Sequence, residues 1–144
     1  MEKGQAIETA IFDTGVLYAL ADRKDAWHRR CADFVEEYEG RLLVPSTVIP
    51  ETCYLLGSHL GRRVELTFVK ALADGELSVV HFTQDDLARC VTLLKTYGDA
   101  AIGFVDASVA AIAERLRITT ILTTDRRHFS MIKGKDDRPY TLLP

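Results

Sequence analysis

Ala10-Ile11-Phe12-Asp13-Thr14-Gly15 is an apolar run that stops on a carboxylate and a turn. The run reads as a buried strand, and Thr14-Gly15 breaks it ahead of a short helix from Val16 to Ala21. The pattern returns near the other end, where the β-branched run Ile118 to Thr123 leads into Thr124-Asp125. Between these two runs, strands and helices alternate. Leu42-Leu43-Val44 and Leu77 to Phe82 read as strands, and Tyr140 to Leu143 as a last edge strand. Asp25 is placed to cap a helix whose apolar face is Trp27, Cys31, Phe34, Val35 and Tyr38, with Gly40 closing it. Pro45 to Leu60 follows as a helix with Pro50 in its first turn, then Gly61 and a helix from Val64 to Ala73. Thr83, with Asp86 three residues on, caps a helix reaching Tyr97, and Gly98 closes it. Val105 to Leu116 is an Ala-rich helix, and Asp125 to Met131 a short helical turn. The alternation predicts one α/β domain over residues 1–144, with a mostly parallel central sheet flanked by helices and no internal repeat or linker. In such sheets ligands bind beyond the carboxyl ends of the strands. Asp13 and Asp125 both stand at that edge.

Length and composition agree. The chain has 144 residues, of which 47% are hydrophobic, enough for a real core. Its three cysteines, Cys31, Cys53 and Cys90, are odd in number and widely spaced, which points to reduced thiols in the cytoplasm rather than to a disulfide framework or a zinc site. No apolar run approaches the roughly 20 residues that span a bilayer. The first residues, with Glu2, Lys3, Gln5 and Glu8, lack an apolar signal core. A net charge of −3 excludes a globally basic nucleic-acid binder and leaves room for a local basic patch.

Four acids carry the functional question: Asp13, Glu51, Asp106 and Asp125. Singly, each has an ordinary explanation as a turn, a cap or a first-turn acid that suits the helix dipole. Jointly they are harder to explain. Asp13 and Asp125 end strands, and Glu51 and Asp106 begin helices that can reach the same edge. Carboxylates gathered there repel one another and resist full ionisation without a cation. Mg²⁺ is the usual remedy, because it takes hard oxygen ligands and keeps several waters, one of which can serve as nucleophile.

Four segments now bring a resemblance: Ile11-Phe12-Asp13-Thr14-Gly15, the helix start at Pro50-Glu51, Phe104-Val105-Asp106-Ala107-Ser108 with Ala110 and Ala113, and Leu122-Thr123-Thr124-Asp125-Arg126-Arg127-His128-Phe129. In their order and spacing the chain resembles the PIN-domain family, most closely the single-domain VapC toxins of toxin–antitoxin systems, and Leu142-Leu143-Pro144 is similar to the usual end of those chains. The resemblance implies a PIN-like three-layer fold and an endoribonuclease dependent on Mg²⁺ or Mn²⁺. It implies a metal pocket of Asp13, Glu51, Asp106 and Asp125, with Thr123 as a hydroxyl beside it and Thr14 in support. It also implies homodimers and a cognate antitoxin seated in an apolar groove.

Other readings are weaker. Asp13-Thr14-Gly15 after a strand suits a phosphotransferase with a nucleophilic aspartate, yet Gly15 occupies the place of its second acid. His28, His59, His81 and His128 are scattered and build no site by themselves. Asp99 reads as a loop residue. Basic residues cluster at Arg126, Arg127, Lys133, Lys135 and Arg138; the lysines read as a solvated tail. Arg126 and Arg127, directly after a candidate metal ligand, could hold RNA phosphates, with Arg29-Arg30 and Arg62-Arg63 behind them. Trp27 with Phe34, and Leu55, Leu56 and Leu60 with Leu66, read as core. A DNA or RNA-maturation nuclease of the same fold, a non-catalytic RNA-binding protein and a small-molecule phosphatase are the alternatives.

Overall fold

The computed structural model of the protein describes residues 8–144. Among them, β1 (Thr9–Phe12), β2 (Arg41–Pro45), β3 (Ser78–Val80), β4 (Thr120–Leu122) and β5 (Thr141–Leu143) form one sheet in the order β3-β2-β1-β4-β5. Every neighbouring pair is parallel. Parallel pairing demands long crossovers. They are supplied by α1 (Thr14–Ala21), α2 (His28–Glu37), α3 (Ile49–His59), α4 (Arg62–Ala73), α5 (Gln84–Thr96), α6 (Phe104–Arg115) and α7 (Arg126–Met131). The expected α/β class and parallel sheet are therefore what the chain adopts.

The central strands are apolar on both faces, as a sheet covered on both sides requires. Ala10, Ile11, Phe12, Val44, Ile121 and Leu122 are all fully buried. Helix α6 is buried almost all round, and its small residues Ala107, Ala110, Ala111 and Ala113 let it pack close to its neighbours. From β1 the chain runs outward to β2 and β3, then crosses back to place β4 and β5 on the other side. The order reverses between β1 and β4, so the crevice that such sheets use for ligands opens where Asp13 and Asp125 leave the sheet.

Several boundaries differ from the sequence reading, each for a local reason. The third strand stops at Val80 rather than Phe82, because the Phe82 amide donates to Ser46 Oγ at 3.1 Å instead of to the sheet. The helix expected from Pro45 opens as a 3₁₀ turn at Ser46–Val48, with Pro50 in the first turn of α3 as anticipated. Asp25 does not cap α2. Its carboxylate accepts from the Trp27 amide at 2.8 Å and its carbonyl from the His28 amide at 3.0 Å, so it fixes the turn before the helix. Gly40 is not a left-handed helix stop. A Cβ there would run into the Glu8 carbonyl, so glycine is needed for close approach at the start of β2. Leu66, expected in the core, is 66% exposed.

Candidate active site

The Asp13 amide donates to the Leu122 carbonyl at 2.8 Å, extending the β1–β4 pairing one residue beyond the strand. This holds the Asp13 side chain at the crevice, where it is only 6% exposed. Gly15 lets the two chain segments meet, since a Cβ at that position would collide with Thr124 Oγ1. Across the crevice, Asp125 caps α7 and accepts from the His128 amide at 3.3 Å. Thr123 joins the two acids. Its fully buried hydroxyl donates to Asp13 Oδ2 at 3.0 Å and accepts from the Asp125 amide at 2.9 Å.

Glu51 and Asp106 arrive on helices. Glu51 sits in the first turn of α3 and Asp106 in the first turn of α6, where Gly103 rather than Asp106 is the cap. A hydroxyl chain braces these two starts. Thr47 Oγ1 lies 2.6 Å from Ser108 Oγ, which in turn donates to the Val105 carbonyl at 2.6 Å. Because Ser108 has one proton and gives it to Val105, Thr47 is the donor to Ser108. All four sequence-selected acids consequently line one open cleft of about 460 Å³, together with Thr14, Gly15, Phe104 and His128.

The electrostatics are those of an uncompensated acid cluster. Burial pushes the Asp13 carboxyl up to about 6; the Thr14 amide and Thr123 hydroxyl oppose this, while the charges of Asp106 and Glu51 reinforce it. Asp106 is also raised, by burial first, with His128 opposing and Asp125 and Glu51 adding to it. Each acid thus gains from a nearby cation.

His128 is the residue that sequence reasoning missed. Its Nδ1 lies 2.9 Å from Asp125 Oδ2 and 3.4 Å from Asp106 Oδ2, without hydrogen-bond alignment to either. The available signal was its position three residues after Asp125, on the same face of a short helix. Arg126 and Arg127 do not line the cleft. Both are exposed on α7, and Arg126 hydrogen-bonds the Pro144 carbonyl.

Two observations bear on a metal. Thr14 Oγ1 is buried beside Asp13 without a hydrogen-bond partner, and the donor set is hard oxygen throughout. Against them, among the described residues no three Asp, Glu, His or Cys side chains converge on a common point that would take an ion. The chemistry suits Mg²⁺ or Mn²⁺; the acids share a cleft without forming a closed cage.

Comparisons with known proteins identify the family and the fold. The sequence matches the PIN domain over residues 10–135. It is 30% identical over 134 residues to the ribonuclease VapC26 of Mycobacterium tuberculosis, a match covering 93% of this chain and 99% of that one. Among solved structures it is similar to VapC20 of Mycobacterium tuberculosis, a sarcin-ricin loop cleaving toxin, with a TM-score of 0.73 and 22% identity over 78% of this chain and 86% of that one. It is also similar to a toxin–antitoxin complex from Klebsiella pneumoniae, with a TM-score of 0.68 and 20% identity over 94% and 96% of the two chains. The family match spans most of the chain and includes all four acids, and the chain belongs to the PIN-domain family, homologous to the VapC toxins of type II toxin–antitoxin systems.

Proposed function

We propose that the protein is an endoribonuclease dependent on Mg²⁺ or Mn²⁺, the toxin of a cytoplasmic toxin–antitoxin pair. The observation that carries the reading is the meeting of Asp13, Glu51, Asp106 and Asp125 in one cleft at the switch point of a parallel sheet, with Asp13 buried and pushed up to about 6. Kinship with a protein named a ribonuclease supports the reaction class.

In this reading Asp13, Asp106 and Asp125 hold the cation directly, and Glu51, exposed at the rim, does so directly or through water. A divalent cation there supplies an acidified water and neutralises charge on the phosphate. The chain's own residues set the geometry. Thr123 fixes the Asp13 carboxylate and the Asp125 backbone together, so the two strand ends cannot drift apart. The buried Thr14 hydroxyl, free of other partners, is available to a phosphate oxygen or a water in the cleft. His128, when protonated, would offset the repulsion between Asp106 and Asp125. Arg126 and Arg127 hold RNA phosphates beside the cut.

An apolar groove of about 310 Å³ between α1 and α4, lined by Leu17, Leu20, Val64, Phe68, Ala71 and Leu77, supports the antitoxin part of the reading. A homodimer is part of the same proposal. The test is induced expression in a bacterial host, wild type against Asp13→Asn, with mapping of RNA ends. Growth arrest with discrete cuts for wild type alone is the expected result. Equal cutting by both, or none by either with Mn²⁺ supplied to the purified proteins, overturns the reading.

A further inference from the structure

Trp27 is the single tryptophan of the chain, and two guanidinium groups from distant parts of the sequence converge on it. The Arg30 Cζ lies 4.8 Å from the ring centroid and the Arg126 Cζ 6.0 Å. We infer that Trp27, Arg30 and Arg126 form a platform that binds one stretch of single-stranded RNA, stacking a base on the indole and pairing the flanking phosphates with the two arginines. The inference rests on the ribonuclease reading and deepens it by locating substrate outside the acidic cleft.

Three features support it. First, both guanidinium carbons lie within 6.0 Å of one ring centroid, which gathers two like charges on one small patch. Among the described residues Arg30 forms no ion pair with a carboxylate side chain, whereas Arg29, next in sequence, is 4.0 Å from Asp33 and Arg126 already donates to Pro144. A polyanion relieves the repulsion of the two like charges, and the chain as a whole, at −3, does not. Second, the platform is held rigid. Asp25 fixes the Trp27 amide, the Trp27 carbonyl accepts from the Cys31 amide at 2.9 Å, and Arg126 is tied to the Pro144 carbonyl. The indole is half-buried against the core while Arg30 and Arg126 remain exposed, so the ring costs little ordering entropy when a base stacks on it. Third, Arg126 directly follows Asp125, which lines the cleft, so the platform and the acids meet at the start of one short helix. Base stacking tolerates any sequence, and arginine pairs with phosphates in a forked geometry.

Trp27 also reports on itself, because its emission is the whole tryptophan signal. The experiment titrates the full chain in EDTA with a short single-stranded RNA, following Trp27 emission and the anisotropy of a labelled RNA. Cleavage of the same RNA is measured separately with Mn²⁺. Quenching on binding is expected. Trp27→Ala should weaken binding roughly 5- to 100-fold, and Trp27→Phe, which keeps a ring, should retain most of the affinity. Arg30→Gln should reduce the salt dependence of log K by a slope of about 0.7. If Trp27→Ala fails to fold, quenching of wild type and the salt slope of Arg30→Gln decide. Cleavage by wild type with unmoved emission, unchanged RNA affinity in Trp27→Ala and unchanged salt slope in Arg30→Gln overturns the platform and leaves the nuclease standing. Absence of both binding and cleavage overturns both. Emission that responds to a protein partner and not to RNA assigns the surface to protein docking and also overturns the platform.

Discussion

Asp13 and Asp86 are both buried aspartates, 6% and 2% exposed, and the protein treats them in opposite ways. Burial alone would raise Asp86, but the Arg115 guanidinium, the Thr83 amide and the Thr83 hydroxyl outweigh it and hold its carboxyl below the usual range. Arg115 donates to it twice, at 2.9 and 3.1 Å, and Asp86 completes a reciprocal cap with Thr83 at the start of α5. Asp13 receives no cation. It has two hydrogen-bond donors, two acidic neighbours and a carboxyl pushed up to about 6. One acid joins α5 to α6 and is satisfied within the chain. The other is left short of positive charge at the mouth of a cleft, as a site awaiting a cation would be. The same residue type at similar burial thus serves structure in one region and, in the proposed reading, chemistry in the other.

The largest expected effect separates them by activity. Asp13→Asn should lower RNA cleavage by about three orders of magnitude, while Asp86→Ala should leave cleavage per folded molecule within about threefold. A gel assay at saturating Mn²⁺ checks both, and equal losses would erase the distinction. Next comes stability. Asp86→Ala leaves Arg115 without its partner in a half-buried place and removes a cap, so denaturant unfolding should lose about 3–5 kcal/mol. Asp13→Asn should instead hold or raise the stability of the metal-free protein at neutral pH, by up to about 3 kcal/mol.

The pH dependence sharpens the contrast, and its sign differs for the two acids. Asp13 has a folded pKa of about 6 against an ordinary 3.8, so the folded state keeps a proton that the unfolded state releases. Metal-free stability should therefore fall as pH rises from about 4 to about 6, by about 3 kcal/mol from this group, and then level off. Asp86 is lowered, so its contribution is present above 3.8 and lost as pH falls further. From these two groups, metal-free stability should peak at about pH 4, between the two transitions. Asp13→Asn should reduce the upper limb, leaving the share that the raised Asp106 contributes, and should not move the lower one. Chemical denaturation across that range decides; an upper limb unchanged by the substitution would contradict the assignment to Asp13.

The smallest effect concerns positioning. Thr123→Val removes the hydroxyl that ties Asp13 to the Asp125 amide, and cleavage should drop roughly 10- to 100-fold with a stability loss of about 1–3 kcal/mol. Thr123→Ser should restore most of both. A valine variant with wild-type activity would show that the strand ends hold their spacing without the bridge.

The contrast also explains what the sequence disclosed. Strand–acid junctions at Phe12-Asp13 and Thr124-Asp125 were legible, because an apolar run that ends on a carboxylate fixes both a strand and its edge. The Thr83–Asp86 cap was legible for the same local reason. Glu51 and Asp106 could be chosen only through a family resemblance, because nothing in a helix start says which edge it faces. His128 was passed over because its meaning depends on α7 folding back over Asp106, a contact 22 residues away in sequence. Trp27 read as core because the helical face of α2 predicts burial, while the approach of Arg126 is a tertiary fact. Gly40 and Gly15 were seen as turn residues; their actual constraint, backbone or side-chain crowding from a distant segment, leaves no local pattern.

The central claim is the proposed one, that the acids around Asp13 take up a divalent cation. Thermal unfolding of metal-free wild type at pH 7.5, repeated with Mn²⁺ up to concentrations that saturate cleavage, tests it most directly. At about 100 times the dissociation constant the midpoint should rise by several degrees, equivalent to about 2.7 kcal/mol, and the rise should vanish in Asp13→Asn while persisting in Asp86→Ala. An unchanged midpoint in wild type at metal concentrations that support full cleavage would contradict the account.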